Sequence, residues 1–191
     1  MMLPKSIAAI CKPKDDSPIT VALAYDGDDA FRAAKEVYLD VMRRLTDQFE
    51  FREFWWRFDM LAERALFERT VGLAAEADIV FCCPSNPQVL PRPVQDWLCH
   101  WLTRRTQPDG ALVILLPLVA GTTPSQTLVE RDLRETARVS GLACFVNYYL
   151  SGHMLHLPAR TFELSKYVGE DLDAVRVIQQ GAGVNHWGLN E

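Results

Sequence analysis

The sequence predicts an α/β domain in which helices cover both faces of a parallel β-sheet, forming three layers. Two observations support this prediction. Short apolar runs rich in strand-forming residues alternate along the chain with longer segments of helical periodicity. The middle runs are continuously apolar, which is typical of strands buried on both faces, and alternating strands and helices give parallel sheets with right-handed crossovers.

The composition fits one domain with a full hydrophobic core. The chain has 191 residues, of which 49% are hydrophobic and 24% are charged. A net charge of −5 supplies no basic surface for nucleic acid. Five cysteines, mostly within apolar runs, indicate a reducing compartment. With no signal peptide or membrane-spanning run in the sequence, we expect a cytoplasmic protein.

The first half of the domain contains two strands, each followed by a helix. The run ITVALAY, from Ile19, predicts a buried strand, and the turn DGDD leads into a helix. The aromatic run FREFWWRF predicts a second strand, whose arginines at 52 and 57 indicate an edge position. Asp59 is predicted to cap the next helix, which runs to about Ala77.

The second half repeats this pattern. DIVFCC predicts a third strand, ALVILLPL a fourth and ACFVNYY a fifth. Between the third and fourth strands, a helix carries an apolar stripe that contains Trp97 and Trp101. This stripe packs on its own sheet or supplies the face of a homodimer. After the fourth strand, Thr123 and Pro124 predict a capped helix start, and the helix ends near Gly141.

These elements predict a flavodoxin-like sheet with strand order 2-1-3-4-5 over residues 19–150. Residues 1–18, with three prolines and a charged run, are expected to form an N-terminal arm. Residues 151–191 are expected to form a C-terminal extension on or beside the domain. Within it, SGHMLHLPARTFEL is predicted to return as an extra strand beside the fifth.

In such a sheet, ligands bind outside the carboxyl ends of the strands, near the switch between strands one and three. Polar residues are predicted to follow the strands at this edge. The candidate ligand rim consists of Asp26, Asp28, Asp29, Asp59, Ser85, Asn86, Thr122, Thr123, Asn147 and Tyr148.

The third loop and its helix, PSNPQVLPRPVQDWL, resemble a segment of NADPH-dependent FMN reductases and their flavodoxin-like relatives. The matching positions are Pro84, Asn86, Asp96, Trp97 and Leu98, within about fifteen residues. The resemblance implies an FMN site with residues 84–97 over the flavin. The first loop departs from those families, which bind the FMN phosphate with hydroxyl-rich residues, whereas this chain has three aspartates there.

The acidic first loop also resembles that of receiver domains in two-component signalling, through Asp28 and Asp29. The phosphoacceptor aspartate at the end of the third strand is absent, because Cys83, Pro84 and Ser85 occupy that position. A divalent cation such as Mg²⁺ bound by Asp26, Asp28 and Asp59 is an alternative. The favoured interpretation is that these aspartates are helix caps and first-turn acids.

Other candidates for chemistry are weaker. Cys83 lies at the end of the third strand, but the sequence supplies no base to activate it as a nucleophile. Cys82 and Cys83 are expected to point to opposite faces of the strand and not to form a redox pair. His153 and His156 have no neighbouring cysteine or carboxylate, so a zinc site is not expected.

Trp187 lies in the C-terminal stretch NHWGLNE, where a large apolar ring predicts docking on the domain or on a partner. This stretch, H-W-G-x-N-E, resembles the termini of a group of uncharacterised bacterial proteins, which implies no activity. No stretch of the sequence specifies a reaction. We therefore expect a non-enzymatic ligand-binding, signalling or interaction domain, and the alternative is an FMN-dependent oxidoreductase.

Overall fold

The computed structural model describes residues 17–45, 49–106, 109–118, 127–150 and 153–154. Within these ranges, six strands form one sheet in the order β2-β1-β3-β4-β5-β6. The strands are β1 (Ile19–Tyr25), β2 (Phe51–Arg57), β3 (Ile79–Cys83), β4 (Ala111–Pro117), β5 (Ala143–Leu150) and β6 (His153–Met154). The first five strands are parallel, and β6 pairs antiparallel with β5. The predicted flavodoxin-like order is confirmed. The extra strand predicted beside β5 is confirmed for His153 and Met154, and the rest of the predicted segment lies outside the described residues.

The sheet separates two hydrophobic clusters, one on each face. On one face lies α1 (Gly27–Leu45), whose Ala33, Val37 and Val41 pack with Leu23 and Phe81 of the sheet. The opposite face is covered by a 3-10 helix (Phe58–Ala62), α2 (Arg64–Ala75), α3 (Arg92–Arg104) and α4 (Leu128–Val139). The three predicted layers follow from this division, because β1, β3 and β4 are apolar on both faces.

The tryptophans of α3 are buried against the sheet of their own chain. Trp97 and Trp101 have no exposed surface, and Trp97 makes an edge-to-face contact with Trp56 of β2 at a centroid distance of 5.6 Å. Of the two interpretations of this stripe, packing within the domain is confirmed. A homodimer through these two rings is thereby excluded, and dimerisation elsewhere stays a prediction.

Two predicted helix starts differ from the structure. Asp59 does not cap a helix with its side chain; it lies in the first turn of the 3-10 helix and pairs with Arg57. The helix that follows starts only at Arg64. The helix after β4 is capped by Thr127, whose hydroxyl accepts the amide proton of Glu130 at 3.1 Å. The predicted start at Thr123 and Pro124 lies outside the described residues.

Strand β5 exceeds the predicted ACFVNYY by one residue, Leu150, and the two rim candidates within it are not in a loop. Its pairing with β4 continues to Tyr149 opposite Pro117, so Asn147 and Tyr148 lie inside the strand and not in a following loop. Tyr149, near the end of the strand, is itself buried. The predicted domain limits at residues 18 and 150 border the described core but stay predictions. No helix in the described part of the chain is long and apolar enough to cross a membrane.

Candidate functional site

The carboxyl ends of β1 and β3 meet at Asp26. A single residue, Asp26, links β1 to α1, and the positive φ of Gly27 (80°) allows this abrupt turn. The amide of Asp26 donates to the carbonyl of Cys83 at 3.0 Å. Its carboxylate accepts hydrogen bonds from both the amide (3.4 Å) and the hydroxyl of Ser85. Two residues of the predicted rim, Asp26 and Ser85, are therefore in direct contact across the strand switch.

The next two acids of the rim lie in the first turn of α1. Asp28 and Asp29 are both exposed there, and Asp29 forms an ion pair with Arg32 one turn later. Acidic side chains at this position interact favourably with the positive end of the helix dipole. The interpretation of these two residues as first-turn acids is confirmed, and a function in ligand binding stays a prediction.

Asp59 belongs to a separate surface pair. Arg57, the last residue of β2, donates two hydrogen bonds to its carboxylate. This hydrogen bonding and the charge of Asp59 raise the pKa of the Arg57 guanidinium, with smaller contributions from Tyr25 and Asp28. Within the described ranges, no three acidic, histidine or cysteine side chains are grouped as a metal ion would require. Asp26 and Asp59 thus have different partners, Ser85 and Arg57.

The loop after β3 is organised by its own hydrogen bonds. Asn86 accepts the amide proton of Gln88 at 2.8 Å through its side-chain oxygen, which is an Asx turn. The carbonyl of Pro87 accepts from the amide of Val129 at 3.4 Å and so links the loop to the start of α4. Ser85 and Asn86 are exposed. The loop turns the chain from β3 into α3 and leaves these two polar side chains at the rim.

Sequence reasoning did not identify Tyr149. This residue of β5 is 2% exposed and donates its hydroxyl proton to the carbonyl of Pro84 at 3.1 Å. Burial raises the pKa of its hydroxyl, and the neighbouring Cys83, Asp29 and Asp26 raise it further. Tyr149 therefore lies close to the acidic end of β1. The sequence does contain a signal for its position. Phe145, Asn147 and Tyr149 are spaced two residues apart in one strand, and this spacing places all three side chains on the face covered by α1.

Tyr148 points to the opposite face and takes part in a buried polar network. Its hydroxyl donates to one carboxylate oxygen of Glu130 at 2.7 Å, and the Nε of Arg134 donates to the other at 2.8 Å. The side chains of Glu130 and Arg134 are only 6% and 14% exposed. The i, i+4 spacing of Glu130 and Arg134 was a sequence signal for this pair. The network connects α4 to β5 on the face of the sheet opposite α1.

The remaining candidate residues are dispersed. Asn147 lies in β5 opposite Leu115, whose side chain is fully buried. Thr122 and Trp187 lie outside the described residues. The structure thus joins Asp26 to Ser85 and adds Tyr149 beside them, while Asp59, Tyr148 and Asn147 are held in other surroundings.

The adjacent cysteines of β3 are not activated. Cys82 and Cys83 belong to the two different hydrophobic clusters, so their side chains do point to opposite faces as predicted. Burial raises the pKa of the Cys82 thiol to about 12 and that of Cys83 well above its ordinary range. A nucleophilic cysteine needs a lowered pKa and access to substrate. The hypothesis that Cys83 is a nucleophile is therefore wrong for the folded chain.

The strand order and the distribution of helices define this chain as an α/β protein with a flavodoxin-like sheet. No protein-family model matches the chain, and no curated protein is significantly similar to it. Among solved structures, the chain is similar to the crystal structure of general stress protein 14 from Treponema denticola in complex with FMN. The sequence identity is 16%, the alignment covers 70% of this chain and 85% of that one, and the TM-score is 0.38.

Proposed function

We propose that this protein is a non-enzymatic binding or interaction domain that has retained the flavodoxin-like sheet without a phosphate-binding crevice. The observation that carries this proposal is the contact between Asp26 and Ser85. It bridges the carboxyl ends of β1 and β3, where ligands of open α/β sheets bind. The Tyr149–Pro84 hydrogen bond supports the proposal because it ties β5 to the same end of β3.

Charge at this edge opposes the binding of a phosphate. A one-residue link leaves no loop to surround the anion, and Asp28 and Asp29 follow in the first turn of α1. At ~4 Å and an intermediate dielectric, one carboxylate and one phosphate charge repel by about 4 kcal/mol. A hydrogen bond to a charged group returns roughly 1.5–3 kcal/mol. Repulsion by the aspartates exceeds what the Ser85 hydroxyl could contribute.

Exposed apolar side chains at the same end of the sheet support an interaction role. Met60 lies in the 3-10 helix after β2, Val89 in the loop after β3, and Leu128 at the start of α4. Because parallel strands end at a common edge, the segments that follow them share one side of the domain. The described residues thus present apolar side chains at the edge where Asp26 contacts Ser85, which suits a protein partner better than a phosphorylated cofactor.

The proposal is tested by titrating the purified 191-residue chain with FMN and measuring flavin fluorescence and absorbance. We expect no binding by the wild-type protein and no yellow colour on purification. In the variant that combines Asp26→Ser, Asp28→Asn and Asp29→Asn, loss of the three carboxylates should allow measurable FMN binding. The matched control is Asp132→Asn, which removes an exposed aspartate that pairs with Arg131 in α4 and lies outside the 84–97 segment.

A flavin that copurifies with the wild-type chain would contradict the proposal. It would favour the alternative, an FMN-dependent oxidoreductase in which residues 84–97 cover the flavin. The resemblance of PSNPQVLPRPVQDWL to the FMN reductases motivates this alternative. Reduction of the bound flavin by NADPH, followed in an absorbance spectrum, would then establish the activity.

A further inference from the structure

Four aromatic side chains meet on the face of the sheet that α1 covers, beside the edge strand β2. Trp55 of β2 contacts Tyr38, Phe31 and Tyr25, with ring centroids 5.6, 5.4 and 6.4 Å away. Tyr25 and Phe31 are also in contact, at 5.0 Å. Tyr38 is buried, whereas the other three rings are half-buried. These three residues, Tyr25, Phe31 and Trp55, form what we call the aromatic cluster.

The two adjacent tryptophans of β2 have different surroundings. Trp56 is 3% exposed and packs on the opposite face of the sheet against Trp97. Trp55 lies beside Leu23 of β1, and among the described residues no strand lies on its other side. The aromatic cluster therefore packs on the core on one side and reaches the protein surface on the other.

A positive group of the chain itself lies over the aromatic cluster. The Nζ atom of Lys35, one turn after Phe31 in α1, is 6.0 Å from the centroid of the Phe31 ring. This distance is at the outer limit at which the face of an aromatic ring attracts a cation. Because Lys35 is exposed, a cation from solvent can approach the same ring.

Exposed carboxylates lie beside the aromatic cluster. Asp28 is in the first turn of α1, three residues before Phe31. Glu53 lies two residues before Trp55, on the same face of β2, and its carboxylate is hydrogen-bonded to the hydroxyl of Tyr38. A cation over the rings would therefore have acidic groups from both α1 and β2 close to it.

Two arginines near the aromatic cluster already have acidic partners. Arg57, opposite Tyr25 in the register of β1 and β2, pairs with Asp59. In α1, Arg32 pairs with Asp29. The chain as a whole carries a net charge of −5, so its electrostatic field also favours the approach of a basic partner.

We propose that the aromatic cluster binds arginine side chains of a basic segment in a partner protein. A guanidinium is planar, stacks on aromatic rings and pairs with carboxylates, and the cluster offers rings with Asp28 and Glu53 beside them. The bound arginine takes the place of the Lys35 ammonium over Phe31. This inference rests on the proposed interaction role and names the chemistry of a partner.

Binding of short capped peptides to the purified 191-residue chain tests the proposal. Fluorescence anisotropy of dye-labelled hexa-arginine should show saturable binding, and hexaglutamine should show none. Hexalysine has the same charge but should bind more weakly, because an ammonium does not stack on rings as a guanidinium does. Equal affinity for the two basic peptides, or no binding of hexa-arginine, would overturn the proposal.

Removal of one ring separates stacking from simple charge attraction. Trp55→Leu should weaken hexa-arginine binding about fivefold, which corresponds to about 1 kcal/mol. The matched control is Phe67→Leu, which removes a half-buried ring of α2 that contacts His100. Circular dichroism verifies that both variants are folded. The proposal is wrong if the two substitutions weaken binding equally or if neither does.

Lys35→Gln gives a test that a loss of folding cannot imitate. Removing the ammonium from the Phe31 ring should strengthen hexa-arginine binding about threefold. Arg43→Gln removes the same charge from an exposed position about two turns further along α1 and should strengthen binding less. Equal gains in the two variants would assign the binding to net charge alone and overturn the proposal.

The peptide and FMN titrations have separable outcomes. Failure of the wild-type chain to bind hexa-arginine would overturn the inference about the aromatic cluster and leave the proposed non-enzymatic role standing. A flavin that copurifies with the chain would overturn that role, whatever the affinity for the peptides.

Discussion

The hydroxyl of Tyr149 donates a hydrogen bond to the main-chain carbonyl of Pro84 at 3.1 Å, inside the protein and across the width of β4. The bond joins β5 to the end of β3. Together with the contact between Asp26 and Ser85, it holds the carboxyl ends of β1, β3 and β5 in one arrangement. Substitutions that remove one of these hydrogen bonds at a time measure how much each contributes to the free energy of unfolding.

Replacing Tyr149 with phenylalanine should lower the free energy of unfolding by about 1–3 kcal/mol. The ring is retained, but the buried carbonyl of Pro84 loses this donor. Urea denaturation followed by circular dichroism provides the measurement. Tyr25→Phe, at a half-buried position at the end of β1, serves as the control and should change the stability by less than about 0.5 kcal/mol. Equal losses in the free energy of unfolding of the two variants would show that the Tyr149–Pro84 hydrogen bond contributes no more to stability than the half-buried hydroxyl of Tyr25.

Asp26 and Ser85 should be energetically coupled. A double-mutant cycle with Asp26→Ala and Ser85→Ala is expected to give a coupling free energy of roughly 0.5–1 kcal/mol, near the low end for contacting residues, because Ser85 is exposed. The control cycle pairs Asp26→Ala with Asn86→Ala, since Asn86 bonds within its own loop. A coupling as large in the control cycle as in the test cycle would mean that the effect comes from the loop as a whole.

The buried thiols should make the protein less stable at alkaline pH. The pKa is raised from an ordinary 9.0 to about 12 for Cys82 and to about 11 for Cys144, in both cases chiefly by burial. Above pH 9 the unfolded chain releases protons that the folded chain retains, so the free energy of unfolding falls as the pH rises. The expected slope is up to about 1.4 kcal/mol per pH unit for each thiol.

Urea denaturation between pH 8 and about pH 11 measures this slope. Cys82→Ala should reduce the slope, whatever its effect on stability at neutral pH. The control is Cys99→Ala, which removes an exposed thiol and should leave the slope unchanged. An identical slope in the wild-type and Cys82→Ala proteins would contradict the role assigned to the Cys82 thiol.

Trp187 lies outside the described residues, and its docking on the domain or on a partner stays a prediction. Burial of such a ring contributes about 1.5–3 kcal/mol, so Trp187→Ala should lower the melting temperature or shift the elution volume in size-exclusion chromatography. Asn190→Ala, in the same stretch, is the control and should change neither. If Trp187→Ala behaves like the wild type in both measurements, the ring is free in the isolated protein and available to a partner.

The alternation of strands and helices could be predicted from the sequence because it depends on local patterns. The continuous apolar runs of β1, β3 and β4, the charged edge of β2 and the tryptophan stripe of α3 each follow from the spacing of side chains along one segment. Asp28 and Asp29 were likewise predictable, because a helix N-terminus selects acids in its first turn.

Only the tertiary structure decided which polar groups meet. Asp26 is hydrogen-bonded to Ser85, which is 59 positions away in the sequence, and Tyr149 is hydrogen-bonded to Pro84, which is 65 positions away. Asn147 and Tyr148, predicted as neighbours at one rim, lie on opposite faces because β5 continues past both of them. The physical reason is that hydrophobic periodicity records how each segment contacts the core, whereas contacts between strand ends depend on the pairing and register of the whole sheet.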